Sequence, residues 1–308
     1  MNKIIFFNDF HKGDTHTHKE FVRQLKNELK DFEFEYYTNN PQKLLDELEI
    51  KITGNPNQFY KSKPLYKNGN TLCVNTWVGC FWDVFCKHGG INMHTLYEQW
   101  GKLFAAINKT FGTSITLKPN MEDYLPKINY NLLNTAHVDN FLEYRKSRFK
   151  VLICNNEPHS GQSFISDMTN IINELADEFE HVDFYCTNSI KTTADNVFFT
   201  NEITKFADGC DLLELSYLSS KVDVIVGKNS GPFVFCETYD NYMDPNKIFI
   251  SFNKKHPDYQ EIQETMSKGL NLKCKYKAVP INNIYILSQS ETDLIYNTIK
   301  EAFPNEKA

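Results

Sequence analysis

Residues 221–237 read KVDVIVGKNSGPFVFCE, and this stretch decides how the chain is read. Residues 222–226 are short, mostly apolar and β-branched, the pattern of a strand buried on both faces of a parallel sheet. The segment GKNSG (227–231) then breaks the strand. Pro232 follows, a good first residue for a helix because its missing N–H would have no partner there. A strand, a small polar turn and a helix start place free backbone N–H groups at the carboxyl edge of a sheet, where phosphates bind. An ordinary βα turn, with glycine serving only its backbone angles, produces the same local pattern. The rest of the chain has to separate the two readings.

Working outward, strand and helix signals alternate on both sides of this stretch. Residues 3–7 (KIIFF) predict a buried first strand. A helix through about residue 29 follows, with Phe21, Val22, Leu25 and Leu29 on one face. Residues 32–37 alternate as a second strand. Pro41 opens a short helix, residues 51–70 predict turns and a hairpin, and residues 71–77 a further strand. Residues 79–90 read as an aromatic-rich loop, and residues 92–111 as the longest helix of this half. The basic run RKSRFK (145–150) precedes a new strand, and there the pattern restarts. Strands follow at 151–154, 182–186, 197–200, 247–252 and 284–287, with helices around 164–179, 211–220 and 291–303. The fold class expected is α/β, with two Rossmann-like domains of mostly parallel strands. The boundary is placed at 145/146, giving domains 1–145 and 146–308, and the last helix is a candidate to pack back on the first domain. Such sheets bind ligands at the carboxyl ends of their strands, so the default site is a cleft between the domains.

The bulk numbers narrow the function classes. The 308 residues carry 33 basic and 39 acidic side chains, a net charge of −6, with no strongly basic segment. This argues against a dedicated nucleic-acid-binding protein. The apolar run of the N-terminus is too short for a signal peptide, and nowhere do 18 apolar residues follow one another. The eight cysteines form no CxxC pair, and Cys73, Cys154 and Cys186 sit in strand-like runs. These features predict a cytoplasmic protein with reduced thiols and no membrane span.

Three constellations could carry chemistry. The first is HKGDTHTH (11–18), directly after the first strand, with His11, Gly13, Asp14, His16 and His18. Three imidazoles and a carboxylate invite a metal reading. However, HxH brings both rings to one side only in an extended chain, and here a helix begins. No metal is expected, and the run is read as a source of acid/base groups, Asp14, His16 and His18, or as a capped helix with solvated histidines. The second is NNEPHSGQS (155–163), where His159, Ser160, Gly161 and Gln162 could cradle a phosphate. The third is WVGCFW (77–82) with Asp83, Lys87 and His88. It fits either an aromatic platform for a sugar ring or a core with two buried tryptophans. No GxxxxGK[ST] loop, GxGxxG fingerprint or GxSxG elbow occurs.

Taken together, the Gly13-Asp14 pair after the first strand and the segment DLLELSYLSSKVDVIVGKNSGP (211–232) resemble the heptosyltransferase-like, family 9-type glycosyltransferases of the two-Rossmann (GT-B) kind. In that family a strand followed by a D/N-S/T-G-P/L turn holds the donor diphosphate. The resemblance places that role on Asn229, Ser230 and Gly231, with Lys228, and the base on Asp14. It implies a metal-independent transferase of glycan biosynthesis. The sugar would move from a nucleotide-sugar donor, itself a substrate rather than a cofactor, to a hydroxyl of a glycan, lipid-linked sugar or protein. The competing expectations are a metal-dependent hydrolase or sugar-nucleotide epimerase using His11, Asp14, His16 and His18, and a non-catalytic carbohydrate-binding module.

Overall fold

In the computed structural model, residues 2–9, 12–40, 42–157, 166–204, 211–228, 230–254, 266–282 and 285–304 are described. The chain divides into two units, Met1–Lys127 with Met266–Asn271, and Ile128–Thr265 with Leu272–Ala308.

The first unit contains β1 (Lys3–Asn8), α1 (Lys12–Glu28), β2 (Glu33–Thr38), β3 (Lys51–Thr53), β4 (Leu65–Asn68), β5 (Thr71–Asn75), α2 (Trp82–Lys87) and α3 (Met93–Phe111). Its sheet has the order β3-β2-β1-β5-β4, parallel except for β4, which forms a hairpin with β5. The apolar faces of α1 and α3 meet through rings. Phe21 stacks on Trp100 at 5.1 Å and on Tyr124 at 4.0 Å. Asn92 caps α3 by accepting the Thr95 N–H, and Gly112 ends the helix in the left-handed region. Strand β1 lies mid-sheet. The chain runs from it outward to β2 and β3, then returns to β5 on its other side. The crevice between the carboxyl ends of β1 and β5 is therefore the topological switch point.

The second unit contains α4 (Ala136–Glu143), β6 (Phe149–Cys154), α5 (Thr169–Glu178), β7 (Val182–Cys186), β8 (Val197–Phe199), α6 (Thr200–Ile203) and α7 (Asp211–Ser220). It continues with β9 (Val224–Lys228), α8 (Gly231–Cys236), α9 (Tyr239–Tyr242), β10 (Ile248–Lys254), β11 (Lys275–Ile281) and α10 (Gln289–Lys300). All six strands are parallel, in the order β11-β10-β9-β6-β7-β8. This is the doubly wound order, with its switch point between β6 and β9. Strands β7 and β9 are buried along their whole length, so their sequences do not alternate apolar with exposed polar residues, and their charged members, Asp183 and Lys228, are buried too.

The two-sheet α/β expectation holds, and several local expectations are corrected. The division falls at Lys127/Ile128 and not at 145/146, because α4 packs within the second unit: His137 reaches Glu214 at 3.0 Å and the Tyr217 hydroxyl donates to Asp139 at 2.7 Å. The last helix belongs to the second unit. Ile295, Ile299 and Phe303 belong to the second unit's core, and it is Met266–Asn271 that joins the first. Residues 79–90 are not a plain loop, since a short 3-10 turn (Val78–Phe81) leads into α2. Residues 285–287 do not form a strand. The edge strand is β11, concealed in the sequence by alternating lysines and by Pro280, which an edge strand tolerates.

Candidate functional site

Each unit presents a polar group at its own switch point. In the first unit, β1 feeds α1, whose first turn holds Gly13 and Asp14. Asp14 is 9% exposed. Its carboxyl accepts the backbone N–H of Val78, which follows β5, so this bond bridges the β1/β5 crevice. Oδ2 is buried and has no hydrogen-bond partner. Loss of solvation raises the Asp14 carboxyl to about 7, against the opposing pull of the Val78 N–H. Around it lies a connected set of neutral polar groups. Tyr36 Oη and Thr76 Oγ1 are 2.6 Å apart, Asn8 Nδ2 donates to Thr76 Oγ1 at 3.1 Å, and Asn40 Nδ2 donates to Thr15 Oγ1 at 2.9 Å. A carboxyl that titrates near neutrality, with one oxygen uncommitted, suits proton abstraction.

The histidines expected beside it are placed differently. Because the helix already begins at Lys12, His16 and His18 cannot share a face. Both are fully buried. Loss of solvation lowers the His18 imidazole to about 3, opposed by the Thr76 backbone, and its ring meets Trp100 edge-on at 5.7 Å. Desolvation, then the Lys19 charge, lowers His16 well below the usual histidine range. The expectation of solvated histidines is thus replaced by two neutral, packed imidazoles. His11 lies outside the described residues. Among the described residues, no group of three or more His, Cys, Asp or Glu side chains is placed to hold a metal ion.

In the second unit, β9 runs two residues beyond its expected end, so Gly227 and Lys228 belong to the strand and not to the turn. The reason is packing. A side chain on Gly227 would meet the Phe233 ring at 2.0 Å, so glycine here lets α8 lie close on β9. Lys228 is consequently buried, donating from Nζ to the Ser166 carbonyl at 2.9 Å. Burial lowers its pKa, and the Asp167 and Glu157 carboxylates oppose the shift. Ser230 precedes α8 with extended backbone, yet its hydroxyl caps nothing; Oγ is buried without a partner. Gly231 is the contrary case to Gly227, with nothing within 4 Å of where a Cβ would stand. A buried hydroxyl without a partner costs roughly 1–3 kcal/mol unless a ligand supplies the bond. Helix α8 has six residues, too short for a large dipole, so the polar groups that stand out at this edge are the buried Lys228 and the Ser230 hydroxyl.

The expected second cradle, His159, Ser160, Gly161 and Gln162, lies outside the described residues, as does Asn229. One polar group at this edge was missed by the sequence reading. Asn253 is fully buried at the end of β10, its Oδ1 accepting from Ser251 Oγ at 3.1 Å while Nδ2 has no partner. Phe252 is in register with Lys228, so Asn253 stands one residue beyond it on the adjoining strand. No motif marks it; only burial without a partner does. The aromatic run 77–82 is not a core with two buried tryptophans: Trp82 is 62% exposed, and Trp77 is half-buried over Gly79.

No protein-family model matches the sequence, and no curated protein matches it. The fold does match solved structures. Against E. coli ADP-heptose LPS heptosyltransferase II the TM-score is 0.50 with 12% identity, covering 100% of each chain. Against S. aureus MnaA in complex with UDP it is 0.50 with 13% identity, covering 100% of this chain and 89% of that one. The chain has a GT-B, glycosyltransferase-like fold. No helix among the described residues is long and apolar enough to cross a membrane.

Proposed function

We propose that the chain is a metal-independent glycosyltransferase that moves a sugar from a nucleotide-sugar donor to an acceptor hydroxyl. One observation carries the reading: the buried Ser230 hydroxyl, without a partner, next to buried Lys228 at the switch point of the second sheet. Doubly wound sheets bind nucleotides at such a point. Support comes from the fold, which is shared with an ADP-heptose transferase and with a protein solved with UDP.

The donor diphosphate is assigned to Lys228, Asn229, Ser230 and Gly231, with His159, Ser160, Gly161 and Gln162 as further donors. When the bond between the anomeric carbon and phosphate breaks, the diphosphate leaves with the electron pair. Fixed hydrogen-bond donors and a cation stabilise that charge without reorganising. Gly13, beside Asp14 in the first turn of α1, is assigned to the donor, and Asp14 is the base. As its carboxylate it takes the acceptor hydroxyl proton while the acceptor oxygen bonds to the anomeric carbon. His16 and His18 become positioning residues, packed and neutral, in place of competing bases. The hydrolase or epimerase reading based on His11, Asp14, His16 and His18 gains no support, because His16 lies off the face that Asp14 and His18 share and both described imidazoles are fully buried.

The test is release of the nucleotide, a nucleoside diphosphate from UDP, GDP, ADP and dTDP sugars or CMP from CMP sugars, in the presence of EDTA. Turnover in EDTA with one donor, lost in Asp14→Asn, is expected. Activity that EDTA removes and a divalent ion restores sinks the metal-free account.

A further inference from the structure

We propose that Trp82 and Phe85 form the floor of an acceptor subsite that takes an uncharged pyranoside, the sugar stacking its C–H face on the exposed indole. This rests on the glycosyltransferase reading above and gives its acceptor a place on the first unit. Trp82 is 62% exposed, whereas Trp100 in the same unit is fully buried. The indole lies flat on Phe85, with centroids 5.0 Å apart and planes 10° apart. One face of the indole is thus covered by a ring. The C–H groups on one side of a pyranose carry partial positive charge and meet the negative face of an aromatic ring favourably.

The surroundings select a neutral, hydroxyl-rich occupant. Lys102 bonds Asp83 at 2.9 Å, Lys87 bonds Glu98 at 2.5 Å, and His88 shares Glu98 at 2.9 Å. The two lysines and two carboxylates cancel, so no net field favours an ion. Their free lone pairs and N–H groups still offer both acceptors and donors to hydroxyls.

The position links the platform to the base. Helix α2 continues directly from the 3-10 turn Val78–Phe81, and the Val78 N–H is the group bound to the Asp14 carboxyl. Four residues separate Val78 from Trp82, about 8 Å along a 3-10 axis. Gly79 keeps this turn tight, because a Cβ there would stand 2.3 Å from the Trp77 ring. The segment that carries Trp82 is therefore tied at its start to the Asp14 carboxyl.

Saturation-transfer NMR with methyl β-D-glucopyranoside and methyl β-D-galactopyranoside tests this on the wild type, Trp82→Ala and Trp82→Phe. Thermal shift with UDP and ADP runs alongside on the same samples. The wild type is expected to transfer saturation to the ring protons of one sugar face. Affinity should fall about tenfold in Trp82→Ala and stay within about threefold in Trp82→Phe, as loss and retention of an aromatic face require. Nucleotide shifts should not change. Absence of transfer to either glycoside in the wild type, or equal transfer in Trp82→Ala, overturns the proposal. So does self-association that Trp82→Ala abolishes, which would assign the face to a second copy of the chain. Glycoside binding without any nucleotide shift keeps the platform and removes the transferase reading; the opposite result keeps the transferase and removes the platform.

Discussion

Asp14 and His18 stand four residues apart on α1, and burial pushes both toward their neutral forms from opposite directions. The Asp14 carboxyl rises to about 7 and the His18 imidazole falls to about 3. Between about pH 4 and 7 the folded chain keeps an Asp14 proton that the unfolded chain has lost, so this group's contribution to stability falls as pH rises through that window. For His18 the unfolded chain holds the extra proton between about pH 3 and 6.5, so its contribution grows with pH. Asp14→Asn keeps an acceptor for the Val78 N–H and removes the buried charge. It should match wild type at pH 4 and exceed it at pH 8, by up to about 4 kcal/mol for a shift of roughly three units. Thermal melts at the two pH values check this, and equal gaps would contradict it. Turnover should rise with pH to a plateau above about 7. Two glycines make a second contrast. Gly227→Ala should cost about 1–3 kcal/mol by driving a methyl into Phe233. Gly231→Ala meets open space and should melt near wild type while weakening nucleotide binding, a pair that melting curves and titrations separate. Asp14 and Ser230 were legible because each follows a strand in a recognisable turn. Asn253 was not, because a buried amide nitrogen without a partner has no local signature.

At the scale of elements, the sequence identifies those whose periodicity is complete. Helix α3 carries its apolar stripe from Met93 to Ile107 between an asparagine cap and a glycine stop. Strand β9 was identified but ended two residues early, because glycine and lysine read as turn residues until Phe233 is seen packing on Gly227. Strand β11 was hidden because an edge strand needs few apolar residues. The basic run before β6 read only as a boundary. In the structure Arg148 Nε bonds the fully buried Asp183 at 2.5 Å, and Asp183 lies on β7 in register with Lys150 of β6. Arg148→Met leaves that carboxylate without its main partner and should cost about 3 kcal/mol. Helix α10 begins with a capping box from Ser288 and Glu291, and Ser288→Ala should cost about 1 kcal/mol. Calorimetric melting checks both variants, and an unchanged melting temperature in Arg148→Met would remove the ion pair from the account.

Over the whole molecule, the alternation of strands and helices was enough to predict two α/β units, because parallel sheets require a crossover after each strand. The division between units was not legible. Residues 266–271 return to the first unit, and no local pattern marks a segment that leaves one unit and joins another. What the fold adds to the motifs is strand order: Asp14 falls at the β1/β5 switch point and Lys228 and Ser230 at the β6/β9 switch point. The central claim is that the second of these holds a diphosphate. Titration calorimetry of UDP, GDP, ADP and dTDP against wild type and Ser230→Ala tests it most directly. One nucleoside diphosphate should bind the wild type, and loss of a hydrogen bond to a charged group should weaken it by about 1.5–3 kcal/mol in Ser230→Ala, roughly ten- to a hundredfold. Binding of none of the four, or equal binding by both proteins, would contradict the account.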